Sequence, residues 1–340
     1  MTAARTATPS TARAINDRLA LDLLVEHGPL TASQLKILTG LSRPTVADLV
    51  ERLQDAGLLH LVGEAGARQR GPNARLYGLV AERAHIAGLD IRLDVVEVAV
   101  ADLAGSTIAS ATLDVPPDSD PDRAVHDVLA LLDATTDAAG ADTLHTVAVG
   151  VPGLIDPATG VLHAACDGLP GWHARLVAAL RERGSVVLEN EANLAGIAEQ
   201  RLGAARGLDT YVLVWLGAGI GACVVLDGRL RRGASGGSGE LGFLPVPGTG
   251  RLPTCTDCKG GFHSLASGGA IELLATDFGL VGSAEDVVRS AATDATGAGA
   301  ALLDALAERL VLGVAALTVI LDPGCVVLGG ETGRAGGTPL

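Results

Sequence analysis

The apolar positions of the first forty residues follow the spacing of short helices. A helical pattern runs over residues 15–26, the sequence GPL interrupts it, and a second helix follows. Thr31 is predicted to be the N-cap of that second helix, with Gln34 three positions later as in a capping box. Gly40 stands where the helix should end, because glycine adopts the left-handed conformation of a C-terminal cap at low cost.

A third helix is predicted to begin after Ser42, a good N-cap residue, and Pro44 is tolerated in its first turn. The apolar residues expected to close a three-helix core are Leu35, Leu38, Leu41, Val46, Leu49, Val50 and Leu53. The opposite face of the third helix carries short and polar side chains of the kind that enter the major groove of DNA. The predicted DNA contacts at this helix are Ser42, Arg43, Thr45, Ala47, Asp48 and Arg52.

Two strand-like runs joined by a glycine-rich turn follow over residues 58–79. This hairpin brings in Arg68, Arg70 and Arg75, and arginine is attracted to the negative potential of a narrow minor groove. Three helices followed by a basic hairpin predict a winged helix-turn-helix domain over residues 15–80, preceded by a disordered tail over residues 1–14. The alternative is a small helical bundle with an incidental basic hairpin.

From about residue 85 the pattern changes to strands. Residues 87–110 and 210–233 each follow the order strand, turn, strand, turn, strand. Helical segments and a further apolar strand come after each of these units. The repetition predicts a duplicated α/β fold with a cleft between its halves, in which ligands bind at the strand ends.

Charge separates the two regions. Residues 1–80 carry nine basic and seven acidic side chains, whereas the remaining residues carry 16 and 32. The acidic region should repel nucleic acid, so a DNA contact is expected from the first region alone.

Cysteine use and hydropathy bear on the compartment. Five cysteines and an N-terminus unlike a signal peptide predict a cytoplasmic protein without a disulfide framework. The uncharged run over residues 210–226 is broken by three glycines, which favours a buried hairpin over a membrane span.

Four stretches then point to a known family: VGVPGLID, LENEAN, GAGIGACVVLDGRLRRGASGGSGELG and LDPGCVVLGG. Together they resemble the repressor, ORF, kinase (ROK) family, and the predicted winged helix resembles the form found in its transcriptional regulators. The resemblance extends from about Ile15 to Gly330. It implies an actin-like, sugar-kinase-like α/β domain over residues 85–340. Because the family contains both sugar kinases and sugar-responsive repressors, the fold alone leaves the activity open.

Kinases of the family bind ATP phosphates in turns written D-x-G-x-T. The matching stretch keeps Asp90 but has Arg92 at the glycine position and Asp94 at the threonine position. The Cβ of Arg92 limits the turn, and Asp94 adds a negative charge where a hydroxyl should meet phosphate. The other glycines that match the family's nucleotide motifs are Gly217, Gly219, Gly329 and Gly330. The resemblance therefore predicts a degraded ATP site.

In the family's sugar kinases, the Asn of an E-N-D motif binds sugar hydroxyls and the Asp accepts a proton. The matching residues are Asn190 and Glu191, so the carboxylate here is one methylene longer, which disfavours proton transfer more than sugar binding. The resemblance also assigns Glu240 and His263 to sugar hydroxyls and Gly153 to the cleft floor. A solvated loop charge and a half-buried structural histidine are the alternatives for Glu240 and His263. The predicted site is a sugar sensor without a catalytic residue.

Many family members hold a structural zinc ion with one His and three Cys. Here Phe243 occupies the His position, and the loop offers Cys255 and Cys258, with Gly261 where the third Cys is expected. Tetrahedral zinc needs four nitrogen or sulfur ligands. Zinc is therefore disfavoured, although the C-x-x-C spacing alone suits it, and no other cofactor is predicted.

The combined prediction is a cytoplasmic transcriptional regulator, and a repressor is favoured over an activator. It is expected to bind double-stranded operator DNA and to respond to a small-molecule sugar. A homodimer is expected, because a single winged helix buries too little surface for tight specific binding. One alternative is an ATP-dependent, glucokinase-like sugar kinase with an appended DNA-binding domain, and another is an acidic domain held by a protein partner. Family members continue well beyond the VLGG stretch, whereas this chain ends at Leu340, so the second half of the fold is expected to be incomplete.

Overall fold

The computed structural model describes residues 9–65, 74–163, 171–254, 259–294 and 296–340. The α-helices are α1 (Pro9–His27), α2 (Ala32–Thr39), α3 (Arg43–Asp55), α4 (Pro121–Ala138), α5 (Trp172–Arg183), α6 (Glu191–Leu202), α7 (His263–Ala266), α8 (Gly268–Asp277), α9 (Ala284–Ala292), α10 (Ala298–Leu321) and α11 (Gly330–Gly336). Two short 3-10 helices cover Ala81–Arg83 and Leu241–Phe243.

Within the described residues, the strands form three main sheets. They are β1 (Leu30–Thr31), β2 (Leu59–Ala65), β3 (Ala74–Leu79), β4 (His85–Ile91), β5 (Val95–Asp102), β6 (Thr107–Asp114), β7 (Leu144–Val151), β8 (Leu154–Ile155), β9 (Leu162–His163), β10 (Val186–Asn190), β11 (Tyr211–Leu216), β12 (Ile220–Leu226), β13 (Arg229–Leu230) and β14 (Val326–Gly329). The first sheet belongs to an N-terminal domain, and the other two each form the centre of an α/β lobe. The short strands β8 and β9 pair only with each other.

The N-terminal domain packs α1, α2 and α3 against an antiparallel sheet in the order β1-β3-β2. The predicted caps are confirmed: the Gln34 amide N–H donates to the Thr31 hydroxyl at 3.2 Å, and the Gln34 side chain accepts from the Thr31 N–H at 2.9 Å. Gly40 has a φ of 69°, the left-handed conformation expected after α2. Ser42 caps α3 by accepting the Thr45 N–H at 3.4 Å.

Two details of this domain differ from the prediction. Residues 9–14, predicted to belong to a disordered tail, are helical: the first helix covers Pro9–His27, because a proline is compatible with a first helical turn and the next residues include good helix formers such as Ala and Arg. Leu38 is 46% exposed instead of buried, since the eight-residue helix α2 turns Leu35 toward the core.

The first lobe has a five-stranded sheet in the order β10-β7-β4-β5-β6. Strands β10, β7 and β4 are parallel, whereas β4, β5 and β6 form an antiparallel meander. Helices α4 and α5 pack against each other, and the lobe's core joins Trp172, Leu176 and Leu180 to the apolar face of the sheet.

The second lobe repeats this plan with the order β13-β12-β11-β14. An antiparallel meander of β11, β12 and β13 is again followed by a parallel partner, β14. The duplication predicted from the sequence is therefore confirmed, although the described residues give this sheet four strands where the first has five. Helix α6 packs against β11 and β12, while Phe262, Ile271 and Leu302 belong to the core that α8, α9 and α10 complete.

The predicted hairpin at residues 210–226 is also confirmed, because these residues form β11 and β12. Among the described residues, no helix is both long and apolar enough to cross a membrane. Cys223 is buried and Cys325 is half-buried, and both are free thiols.

Candidate functional site

A cleft of about 300 Å³ lies where the two lobes meet. All five residues predicted to contact a sugar line it: Gly153, Asn190, Glu191, Glu240 and His263. Gly153 follows β7, Asn190 ends β10, and Glu191 begins α6 in the first lobe's connection to the second. The structure thus brings together residues that lie up to 110 positions apart, from Gly153 to His263. Whether they bind a sugar stays a prediction.

Asn190 is held by the protein's own hydrogen bonds. Its side-chain oxygen accepts the N–H groups of Ala192 at 2.9 Å and Asn193 at 3.3 Å, which makes it the N-cap of α6. Its amide nitrogen donates to the Gly153 carbonyl at 3.3 Å and to Glu191 Oε2 at 2.8 Å. These contacts use both N–H bonds and both lone pairs of the amide. Asn190 therefore orients Glu191 in this conformation.

Glu191 holds its proton at neutral pH. Burial, together with the negative charges of Glu240, Asp90 and Glu331, raises the pKa of Glu191 to about 8. A protonated carboxyl donates a hydrogen bond and is a poor proton acceptor. Glu191 is thus suited to donate a hydrogen bond to a polar ligand, and only its ionised fraction could take a proton from one at pH 7.

The other titratable groups of the cleft are also shifted toward their neutral forms. Burial raises the pKa of Glu240, and it lowers the pKa of His263. A cleft whose carboxyl and imidazole pKa values are shifted in this direction offers hydrogen-bond donors and acceptors with less charge than the same groups in water. That chemistry suits a neutral, hydroxyl-rich ligand better than a highly charged one.

An ion pair that the sequence does not reveal stabilises the arrangement of the two lobes at the cleft. Glu189, the residue before Asn190, is buried and pairs with Arg232, whose Nε and Nη2 atoms both lie 2.6 Å from Glu189 Oε2. The other carboxylate oxygen accepts from Asn193 Nδ2 at 2.9 Å. Of the two glutamates in LENEAN, Glu189 is therefore structural and only Glu191 faces the cleft. Arg232 lies within one of the family-like stretches, but the sequence does not reveal its pairing, because its partner lies 43 positions away.

The glycine-rich segment after Arg232 lies close to the backbone of both lobes. A Cβ built on Gly236 would lie 2.2 Å from the carbonyl oxygen of Ile155 in the first lobe. One built on Gly239, which has a φ of +91°, would lie 1.8 Å from the carbonyl oxygen of Ala222. Only glycine fits at these two positions, and this close packing places Glu240 beside the cleft.

The predicted phosphate turn between β4 and β5 is occupied by its own side chains. Arg92 Nε and Nη2 each lie 2.9 Å from Asp90 Oδ2. Asp94 is exposed. Gly217 and Gly219 form the β11–β12 turn opposite, and Gly329 and Gly330 join β14 to α11.

The predicted DNA-contact residues differ in availability. Arg43, Ala47 and Asp48 are exposed on α3, as are Ser42 before it and Arg75 on β3, whereas Thr45 is half-buried. Arg52 pairs with Asp17 of α1 at 2.5 Å and also with Asp48, so its guanidinium is committed within the domain. Arg68 and Arg70 lie outside the described residues.

The zinc prediction also concerns residues outside the described part, Cys255 and Cys258. Over the ranges that the structure describes, no group of three or more His, Cys, Asp or Glu side chains has the arrangement of a metal site. Phe243, at the family's His position, lines the cleft instead.

The ROK family model matches residues 86–339, which include both lobes. The chain is 42% identical to the bifunctional enzyme NanE/NanK of Brucella suis over 151 residues, 44% of this chain and 26% of that protein. It is 25% identical to the xylose repressor of Bacillus subtilis over 251 residues, 71% of this chain and 63% of the repressor. The chain thus spans about a quarter of the first relative and just under two thirds of the second.

Enzymes and regulators both occur among the similar proteins. A glucokinase of Thermotoga maritima is 32% identical over 207 residues, 56% of this chain and 65% of the enzyme. A solved ROK family transcriptional regulator, a homolog of the Escherichia coli MLC protein, superposes with a TM-score of 0.78 at 22% identity and covers 97% of this chain and 86% of its own. At that identity the likeness concerns the fold, which here includes the N-terminal region.

Proposed function

Because the chain belongs to the ROK family, we propose that it is a DNA-binding transcriptional regulator, a repressor, whose lobes bind a sugar or sugar derivative without phosphorylating it. The observation that carries the proposal is the state of the β4–β5 turn. Arg92 lies folded onto Asp90 in that turn, so the turn offers phosphate no open backbone.

The DNA-binding part of the proposal assigns residues 15–80 as a winged helix-turn-helix. Exposed Arg43 and Ala47 near the start of α3 support it, because the first turns of a recognition helix contact base edges. The β2–β3 hairpin with exposed Arg75 is the proposed wing. Arg52 is removed from the proposed contacts, since two carboxylates already bind it.

The ligand-binding part assigns the cleft to a sugar. Glu191, Glu240 and His263 supply hydrogen-bonding groups whose pKa values are shifted toward the neutral forms, which fits a polyol. Asn190 holds Glu191 in place. A pKa of about 8 also permits general-base chemistry, so the occupied β4–β5 turn, and not Glu191, disfavours a sugar kinase.

The proposed mechanism is a population shift in a homodimer bound to two operator half-sites in the cytoplasm. A sugar that binds one arrangement of the lobes more tightly favours that arrangement, and the spacing or angle of the two DNA-binding domains changes with it. The ratio of sugar affinities in the two states limits how far DNA affinity can change.

Fluorescence anisotropy tests the proposal. Labelled DNA from the region upstream of the protein's own gene is compared with scrambled DNA in about 150 mM salt, which weakens nonspecific phosphate contacts. We expect a preference for the upstream DNA that one member of a sugar panel removes. Arg43→Ala should weaken DNA binding, whereas Arg123→Ala, at an exposed arginine on α4, should leave it unchanged.

The sugar effect is tested separately from the DNA contact. Glu240→Gln should retain DNA binding but respond to the sugar only at higher concentration. Two results together would contradict the DNA-binding assignment. The wild type would bind both DNAs with equal affinity, and Arg43→Ala would bind DNA as tightly as Arg123→Ala. An undiminished sugar response in Glu240→Gln would contradict the proposed ligand site.

A sugar kinase is the second candidate, because Glu191 retains a carboxyl group in the cleft and glucokinases are among the relatives. It requires sugar-dependent formation of ADP that Glu191→Gln abolishes. We expect no ADP formation above the background of that variant.

A further inference from the structure

The part of the interlobe space beyond the sugar cleft contains a second ion pair. Arg92 belongs to the turn that follows β4 in the first lobe, and Glu331 lies in the first turn of α11 in the second. Arg92 Nη1 lies 2.7 Å from Glu331 Oε1, while its Nε and Nη2 atoms hold Asp90. We call Arg92 and Glu331 the interlobe pair, because they join the two lobes directly.

Close backbone packing fixes the carboxylate of this pair. Gly330, immediately before Glu331, has a φ of +78°, and a Cβ there would lie 2.2 Å from the carbonyl oxygen of Leu216. A Cβ on Gly217, in the β11–β12 turn, would lie 2.7 Å from Glu331 Oε2. The Glu331 carboxylate therefore lies where a side chain on Gly217 would be, and Gly330 lets the start of α11 approach the backbone of Leu216.

Because of the charges around Arg92, loss of Arg92 and loss of Glu331 should have different consequences. Asp90 and Glu331 lie close to the guanidinium, and Glu97 approaches it at 3.9 Å. Burial alone lowers the pKa of Arg92, but these carboxylates raise it overall, so the group is a cation. Loss of Glu331 would leave Arg92 with an unused pair of N–H donors, whereas loss of Arg92 would leave two carboxylates facing each other.

We propose that Glu331 is an internal occupant of an anion site formed by Arg92 between the lobes, and that the interlobe pair closes this site while it joins the lobes. The ligand class that the site takes is an oxyanion such as a phosphate group, for which guanidinium is a preferred partner. The carboxylate of the chain itself fills that place. This inference goes beyond the regulator proposal and requires neither DNA nor sugar.

Isothermal titration with inorganic pyrophosphate tests the proposal in the full chain. The wild type should show no saturable binding of pyrophosphate. Glu331→Ala should show saturable binding, with a dissociation constant at least tenfold below the highest pyrophosphate concentration tested on the wild type. Arg92→Ala/Glu331→Ala should lose that gain. Glu97→Ala is the matched control, because it removes a carboxylate that does not occupy the site, and it should resemble the wild type.

Two further controls distinguish a folding defect from a change in pyrophosphate binding. Circular dichroism and melting temperature verify that each variant is folded, and Glu331→Gln provides a variant of almost unchanged shape that should also gain binding. Arg92→Ala should lower the melting temperature more than Glu331→Ala does. Wild-type binding as tight as that of Glu331→Ala, or a folded Glu331→Ala and Glu331→Gln without any gain, would overturn the proposal.

Discussion

The Arg232 guanidinium lies 2.6 Å from the buried carboxylate of Glu189, and this contact fastens the glycine-rich segment of the second lobe to the strand that carries Asn190. Glu189 is 6% exposed, so its charge has little water to stabilise it. The pair therefore fixes the geometry of the cleft without lining it.

Loss of Arg232 is expected to be costly. Arg232→Ala leaves the Glu189 carboxylate buried with only neutral donors. Because the Arg232 side chain is itself 45% exposed, the loss should be smaller than for a fully buried pair, about 2 kcal/mol of the free energy of unfolding. Denaturation in urea measures the loss. Arg231→Ala is the control, because Arg231 and its partner Asp227 are both exposed and such pairs contribute about 0–1 kcal/mol. Similar losses in the two variants would contradict a special role for Arg232.

The contrast between these neighbouring arginines shows what the sequence could predict. Helix caps such as Thr31 with Gln34, and the hairpin of β11 and β12, depend on residues a few positions apart, so local patterns reveal them. The ion pair of Glu189 with Arg232 spans 43 positions and depends on how the lobes fold together. No local pattern distinguishes Arg231 from Arg232.

The cleft also combines features that local sequence patterns reveal with features that depend on how the lobes fold together. Its lining residues could be predicted, because the LENEAN and GELG stretches resemble a family's motifs. The protonation of Glu191 could not, since it depends on burial and on charges from both lobes. The occupation of the Asp90–Asp94 turn by an arginine held by Glu331 likewise required the position of α11.

The raised pKa of Glu191 should make the fold less stable as the pH increases. The folded state keeps the proton up to about pH 8, whereas an unfolded glutamate releases it near pH 4.5. The unfolded state therefore gains stability between these values, and the free energy of unfolding falls over that range. Glu191→Gln has no proton to lose and should melt at a higher temperature than the wild type at pH 8.5, with a much smaller difference at pH 4.5.

The control for this prediction is Glu182→Gln, at an exposed glutamate of α5. It should not change how melting temperature depends on pH. If Glu191→Gln shows the same pH dependence as the wild type, Glu191 is ionised in the folded protein.

His173 should act in the opposite pH direction. It is 1% exposed, its ring meets Trp172 edge-on with centroids 4.2 Å apart, and burial lowers the pKa of His173 to about 4. The folded state thus holds a neutral imidazole, while the unfolded state accepts a proton below about pH 6.5. Stability from this group is present above pH 6.5 and is lost as the pH falls toward 4.

Melting curves between pH 7 and pH 4.5 check the effect. His173→Leu should flatten this part of the profile even if its stability at pH 7 is lower. The same substitution at exposed His126 on α4 should leave the slope unchanged. Equal slopes in all three proteins would show that His173 does not contribute.

Gly196 allows α6 to approach β12, and an added methyl group should disturb this contact. A Cβ on Gly196 would lie 2.2 Å from the Sγ atom of Cys223, which is buried on β12. Alanine favours a helix interior over glycine by about 1 kcal/mol, but overpacking costs about 1–3 kcal/mol, and here the atoms overlap severely. Gly196→Ala should therefore lower the free energy of unfolding by about 2 kcal/mol.

A double-mutant cycle with Cys223→Ala identifies the cause. Removal of the sulfur relieves the closest contact, so the loss from Gly196→Ala should shrink by about 1 kcal/mol in the Cys223→Ala background. Gly269→Ala is the control, because Gly269 lies in α8 with no atom within 4 Å of an added Cβ, and this change should be neutral or stabilising. If Gly196→Ala behaves like Gly269→Ala, then α6 can move away from β12, and the N-cap contacts of Asn190 would not hold Glu191 at a fixed distance from the second lobe.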